Sequence, residues 1–282
     1  MHPKNIHSTK YNLTLLCKNY AELDNYVFTN KYKTETVDFS NPKAVKALNT
    51  ALLYTHYQIK DWNFSDENLC PPIPSRTDYI HYLNDLIDSD DSKINILDIG
   101  TGATCIYPLL GNAIYNWNFV GTDIDANSLD NAQQIIDNNN LNTAINLRLQ
   151  KEKSQILKGL LKTDDFFTAT MCNPPFYKSL DEANNANKRK QQNLNLKSKE
   201  RNFGGNNNEL WYKGGEKAFL HNYLYESSLF KEQCKWFTSL VSKKENIKSM
   251  YASLKKLNAS KIKTIEMKHG NKITRIVAWS FI

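Results

Sequence analysis

The apolar residues of this chain keep two different rhythms. Up to about residue 90 they recur at helical spacing, as between Lys43 and Leu53, where Val45, Leu48, Leu52 and Leu53 fall near one face. Asn41 and Pro42 suit the cap and first turn of that helix. The segment Leu69-Cys70-Pro71-Pro72-Ile73-Pro74 is expected to be an extended linker, because proline lacks the donor that a helix interior needs; helical spacing then resumes over Thr77 to Leu83. From residue 94 the pattern changes to short β-branched and aromatic runs separated by helical stretches. It predicts strands at 94–97, 118–122, 145–149, 166–172, 235–241, 261–267 and 274–281, and a helix over 127–138. Such alternation predicts an α/β fold, a parallel sheet covered by helices on both faces. The expected organisation is a small, mainly helical region over residues 1–90 and one α/β domain over 91–282.

Polar chemistry is concentrated where these strands end. The first ends in Asp98-Ile99-Gly100-Thr101-Gly102-Ala103, a small-residue turn that lets a ligand approach the backbone. The second ends at Asp123-Ile124-Asp125, about 20 residues further on, where an acidic side chain is placed to hold ribose hydroxyls. The fourth runs straight into Asn173-Pro174-Pro175-Phe176. Ligands of open α/β sheets sit beyond the carboxyl ends of the strands, so Asp98, Asp123 and Asn173 are expected to converge on one cleft. Cys105 stands where a dinucleotide fingerprint would place its third glycine, which argues against a nicotinamide enzyme.

The Asn-Pro-Pro-Phe turn is suited to holding a planar amino group. An asparagine carbonyl and the backbone carbonyl after it can each accept one N–H, while an aromatic face stacks on a base. Pro174 and Pro175 stiffen the turn through their fixed φ. Cys172 precedes it by one residue, and strand alternation turns its side chain away from Asn173, as for a core cysteine rather than a covalent nucleophile.

Composition narrows the setting. No apolar stretch of the 282 residues approaches membrane-spanning length, and Met1-His2-Pro3-Lys4-Asn5-Ile6-His7 lacks the apolar core of a secretory signal. Five scattered cysteines, at 17, 70, 105, 172 and 234, fit a reducing cytoplasm. There is no Cys-x-x-Cys or His-Glu-x-x-His, so no metal is expected. The formal charge of +7 favours a polyanionic partner. Lys188, Arg189, Lys190, Lys197, Lys199 and Arg201 lie in a basic stretch that starts at Lys178, directly after the turn, and reads as a flexible insertion over about 178–208. With Lys4, His7 and Lys10 in an N-terminal arm beside His2, these residues are candidate contacts to an RNA backbone.

Asp98-Ile-Gly100-Thr-Gly102, Asp123 and Asn173-Pro-Pro-Phe176 together resemble a class I S-adenosylmethionine-dependent methyltransferase of the amino-group type. His2-Pro3-x-Asn5, Leu69-Cys-Pro-Pro-Ile-Pro74, Asp78-Tyr-Ile-His81-Tyr, Cys105-Ile-Tyr-Pro-Leu109, Asn202-Phe-Gly-Gly205, Glu209-Leu-Trp211 and Trp236-Phe-Thr-Ser-Leu-Val241 extend the likeness essentially end to end. They resemble the RlmF family of bacterial 23S ribosomal RNA adenine-N6 methyltransferases, with a eukaryotic U6 small nuclear RNA adenine-N6 methyltransferase as a distant relative. The resemblance implies a Rossmann-like, seven-stranded, mostly parallel sheet and S-adenosylmethionine as cofactor. It places Asp98, Gly100, Thr101 and Gly102 against the amino-acid part of the cofactor, Asp123 and Ile124 at its ribose, Arg76 at its carboxylate and Lys151 as a gate. It further implies that Asn173 and the Pro174 carbonyl grip N6 of a flipped adenine in 23S ribosomal RNA or a large-subunit assembly intermediate, with Phe176 stacked on the base and the protein acting as a monomer. Three readings compete: a protein glutamine methyltransferase, because the same turn can hold a carboxamide; a DNA adenine methyltransferase, although no target-recognition region is visible; and a catalytically silent RNA-binding assembly factor.

Overall fold

The computed structural model describes residues 1–87, 93–179, 181–182, 211–269 and 272–282. The first part of the chain forms α1 (Leu13–Asn19), an antiparallel hairpin of β1 (Val27–Thr29) and β2 (Glu35–Val37), α2 (Pro42–Tyr57) and α3 (Ile73–Ile87). Asn12 and Asn41 cap α1 and α2 by accepting the backbone N–H groups of Leu15 and Lys43, both at 3.0 Å. Leu48, Leu52 and Leu53 are buried on α2 as their spacing predicts, and Val45 lies at the margin. Two expectations change. The hairpin was not predicted: its strands have three residues each, and its turn is held by Asn30, whose side chain accepts Tyr32 N–H at 2.9 Å and Thr34 N–H at 3.1 Å without a glycine to mark it. The linker also ends earlier than expected. Helix α3 starts at Ile73, so Pro74 occupies its first turn, where a missing N–H leaves no helical bond unmade.

The second part alternates as the apolar pattern requires. It contains β3 (Asn95–Ile99), α4 (Ile106–Tyr115), β4 (Asn118–Asp123), α5 (Ala126–Asn138), β5 (Ile145–Leu149), β6 (Phe167–Cys172), α6 (Gly215–Leu229), β7 (Cys234–Val241), α7 (Lys244–Lys256), β8 (Lys261–His269) and β9 (Lys272–Ser280). The seven strands β3 to β9 lie in the order β5-β4-β3-β6-β7-β9-β8; all neighbours are parallel except β9, which is antiparallel to β7 and β8. The order reverses between β3 and β6, and the crevice above that reversal is where an open sheet offers a site.

Side chains alternate between two apolar layers. Ile96, Ala169, Met171, Trp236 and Leu240 join α2 to α5 in one cluster, so the core of the N-terminal helices is continuous with that face of the sheet. Leu97, Cys172, Phe237, Val241 and Trp279 face α6 and α7, where Tyr223 and Trp279 meet edge to face at 5.1 Å. Burial drives the Cys172 thiol well above its ordinary range, in keeping with a core residue. On the outer edge, β8 exposes Lys261, Lys263 and Lys268. Among the described residues no helix is long and apolar enough to cross a membrane.

Helix α4 lies so close to β4 that one glycine sets the spacing. A Cβ on Gly111 would stand 2.4 Å from Phe119 Cζ and 2.7 Å from Cε2, and that ring is itself buried. Gly111→Ala is therefore expected to destabilise the protein by about 1–3 kcal/mol despite alanine's better helix propensity, read as a lower melting temperature.

Candidate active site

The site is built from the ends of β3, β4 and β6. After β3 the chain turns across the tip of β4: Gly100 N–H and Thr101 N–H both donate to the Thr122 carbonyl, at 2.9 and 2.8 Å. Gly100 and Gly102 take φ of 76° and 65°, a region that favours glycine. Asp123 secures the same turn, accepting Gly102 N–H at Oδ2 (2.9 Å) and Asp125 N–H at Oδ1 (3.0 Å). Each carboxylate oxygen has a second lone pair, so both can still accept a ligand hydroxyl.

Beneath this turn Asp98 is fully buried, and neither of its carboxylate oxygens has a hydrogen-bond partner at normal geometry. Burial raises its pKa from 3.8 to about 7, and Asp123 adds to the rise, while Thr101 and the Arg76 guanidinium oppose it. Arg76 comes from α3. Its Nη1 donates to the Tyr107 hydroxyl at 3.0 Å, and its guanidinium lies 5.5 Å from the centre of that ring.

Strand β6, buried along its whole length, delivers the Asn173 turn. Asn173 Oδ1 is buried without a hydrogen-bond partner, Pro174 is buried, and Pro175 and Phe176 are half-exposed. Beyond it, Tyr177 bridges Trp211, whose chain continues into α6. A third wall comes from the loop after β5, pinned by Glu226 of α6, whose Oε2 accepts the N–H groups of Ile156, Leu157 and Lys158 at 3.0, 2.6 and 2.9 Å.

These walls enclose a cavity of about 190 Å³. Arg76, Gly100, Thr101, Gly102, Asp123, Ile124 and Asn173 to Phe176 line it, so most of the expected cofactor and catalytic residues come together, and none of the expected RNA contacts among the described residues does. Asp98 lies under the lining rather than in it. Lys151 is exposed and outside the lining, whereas Lys153 borders the cavity. His7 is not part of an exposed basic arm. It is buried with Nε2 2.8 Å from the Tyr57 hydroxyl, and burial, reinforced by His56 and His81, lowers its pKa to about 4, so it is neutral at pH 7. His2 is likewise buried; Lys4 and Lys10 are exposed. Lys188, Arg189, Lys190, Lys197, Lys199 and Arg201, with most of the expected insertion, lie outside the described residues. No group of three or more His, Cys, Asp or Glu side chains able to hold a metal ion occurs among the described residues.

The chain is similar to known proteins along its whole length. A family described as RNA methyltransferase matches residues 1–282. Ribosomal RNA large subunit methyltransferase F of Flavobacterium johnsoniae is 52% identical, covering 100% of this chain and 93% of that one, and its Christiangramia forsetii counterpart is 48% identical with 100% of both chains covered. The chain belongs to the ribosomal RNA large subunit methyltransferase F family. Among solved structures, the hMettl16 catalytic domain in complex with MAT2A 3'UTR hairpin 1 superposes with a TM-score of 0.85 at 28% identity, covering 100% of this chain and 96% of that one. The N-terminal domain of human METTL16 in complex with SAH gives 0.80 at 27%, covering 100% and 99%.

Several cavity residues carry no signal of their own in the sequence. Tyr107 and Trp211 lie in segments that extend the family likeness, but nothing local ties them to the site. Lys153, Gln155 and Ile156 face the cavity only because a glutamate some 70 residues away holds their loop.

The state of Asp98 sets a pH dependence. Because its folded pKa lies above 3.8, the stability given by the protonated group is complete below about pH 4 and is lost as pH rises through about 7. Asp98→Asn is expected to be more stable than wild type without ligand near pH 8 and to lose that advantage as pH falls to about 4, measured by urea unfolding at both values.

Proposed function

We propose that this chain transfers a methyl group from S-adenosylmethionine to the N6 amine of one adenine in 23S ribosomal RNA. The observation that carries the reading is Asn173 Oδ1, a buried acceptor without a partner, presented by a rigid two-proline turn inside the cavity. A buried polar atom left unpaired costs about 1–3 kcal/mol, so such an acceptor suits a donor that arrives with the substrate. Family membership and the RNA-bound relative support RNA as the carrier of that donor.

The residues also fit the cofactor. The unpaired Asp98 carboxylate suits a cationic amino group, Asp123 retains lone pairs for two ribose hydroxyls, and Arg76 suits a carboxylate. The SAH-bound relative supports this assignment. When bound, S-adenosylmethionine supplies an electrophilic methyl group on a sulfonium centre.

Asn173 Oδ1 and the Pro174 carbonyl accept the two N6 hydrogens, aligning the nitrogen lone pair, and Phe176 stacks on the base. The base must leave its stack to reach this turn. Catalysis then rests on positioning and needs no general base before attack; the methylated N6 releases one proton to water afterwards. Lys4 and Lys10 are exposed to contact phosphate, and Tyr177 and Trp211, which flank the basic stretch in sequence, pair beside the site. The proposal extends to a large-subunit assembly intermediate as substrate, to action as a monomer and to the cytoplasm as location.

The test is transfer of labelled methyl to 23S ribosomal RNA and ribosomal particles lacking the modification, followed by nucleoside analysis. The expected product is N6-methyladenosine at one site; label recovered in protein would replace this reading with glutamine methylation. Asn173→Ala should lower transfer by roughly a hundredfold or more while cofactor affinity stays within about twofold. Asp123→Ala should do the reverse, weakening cofactor affinity first, by about tenfold or more in calorimetry.

A further inference from the structure

The backbone ladder between β6 and β7 stops short of the Asn173 turn. Its paired positions are Phe167 with Cys234 and Ala169 with Trp236. Beyond them hydroxyl groups take over: Thr238 N–H donates to Thr170 Oγ1 at 3.1 Å, and Thr238 Oγ1 donates to the Thr170 carbonyl at 2.6 Å. One donor at this parting is met from outside the sheet. Cys172 N–H reaches the hydroxyl oxygen of Tyr79 at 3.3 Å, and that hydroxyl lies 2.7 Å from Thr238 Oγ1.

A hydroxyl has a single hydrogen. Thr238 directs its own at the Thr170 carbonyl, so Tyr79 must be the donor to Thr238. The relay therefore has one direction, from Cys172 N–H through the Tyr79 and Thr238 hydroxyls to the Thr170 carbonyl. Tyr79, Thr170, Cys172 and Thr238 are all buried, out of reach of replacement by bulk water. Tyr79 lies on α3, three residues after Arg76, and its ring meets that of Tyr107 edge to face at 5.5 Å. One helix thus contacts both the Arg76 side of the cavity and the root of the Asn173 turn.

We infer that Tyr79 is a positioning residue for methyl transfer: its hydroxyl fixes the Cys172 amide and thereby the direction in which Asn173 presents its carboxamide. The Cys172 amide immediately precedes the Asn173 turn and lies past the last backbone pairing with β7, so without Tyr79 its N–H would be buried and unpaired and would turn to find another acceptor. A shift of about 1 Å in a positioning group costs on the order of a hundredfold in rate. The inference rests on the function proposed above.

Tyr79→Phe keeps the ring and removes the hydroxyl. Turnover is expected to fall roughly tenfold while affinity for S-adenosylhomocysteine, measured by calorimetry, stays within about twofold, and the Cys172 amide should exchange with solvent faster. Thr238→Val removes the acceptor without altering α3 and should give the same split, whereas Thr238→Ser should keep near wild-type turnover. Combining Tyr79→Phe with Thr238→Val should slow the reaction no more than the larger single change, because both break one relay. A lower melting temperature with unchanged turnover would overturn the inference, as would an equal loss of turnover and cofactor affinity, or an unchanged Cys172 exchange rate. If Tyr79→Phe does not fold, the Thr238 pair gives the same decision. If wild type leaves ribosomal RNA unmethylated, the proposed function fails on that result alone, and amide exchange still decides whether Tyr79 holds the turn.

Discussion

The Thr122 carbonyl at the tip of β4 accepts two consecutive backbone donors, Gly100 and Thr101, and the geometry of the cavity follows from that pairing. It folds the end of β3 sideways over β4, where Gly100 and Gly102 take positive φ. Gly102 is thereby carried to the Asp123 carboxylate, and the Asp98 carboxylate is left beneath the turn without a hydrogen-bond partner at normal geometry. Strand β6, on the other side of β3, has no partner of this kind at its end. Its last residues are buried in the apolar layers, and the Asn173 turn that follows is stiffened by two prolines. The sheet reversal between β3 and β6 thus yields one wall made of backbone N–H groups and acidic side chains, and a facing wall made of an amide and an aromatic ring.

What was legible in the sequence was whatever short-range pattern determines. All seven strands of the main sheet were readable from apolar runs, and the approach of Asp123 and Asn173 to one cavity, with Asp98 beneath its lining, followed from a topological rule applied to their positions at strand ends. Misreadings arose where the outcome depends on distant contacts. Ile73 and Pro74 read as linker because proline breaks helices, yet the first turn of α3 does not need the missing donor. His7 read as part of a basic arm, but it is packed under Tyr57 and held neutral there. Lys151 was singled out by the resemblance alone, and no periodicity points to Lys153, which borders the cavity on a loop held by Glu226. Tyr79 lies in a stretch that marked the family, but the contact with Cys172, 93 residues away, is invisible to local pattern.

The N-terminal helices are not an appendage in physical terms. Their apolar residues share a cluster with Ile96, Ala169 and Trp236 of the sheet, and α3 supplies side chains to the site itself. Asn5 strengthens the link, donating from Nδ2 to the Pro74 carbonyl at 2.9 Å and to Asp78 Oδ1 at 2.5 Å. The start of the chain thereby clamps the first turns of α3, the part of the helix from which Arg76 projects.

The lysines on β8 have a consequence at the opposite edge of the molecule. An edge strand carries unpaired backbone groups able to template another strand, and β8 at nine residues is long enough to do so. Lys261, Lys263 and Lys268 project from it. A second molecule laying its own β8 alongside would bring two rows of ammonium groups within a few ångströms of each other, at strand spacing of about 4.8 Å. Such a row of like charges opposes edge-to-edge pairing of β8 with a further strand.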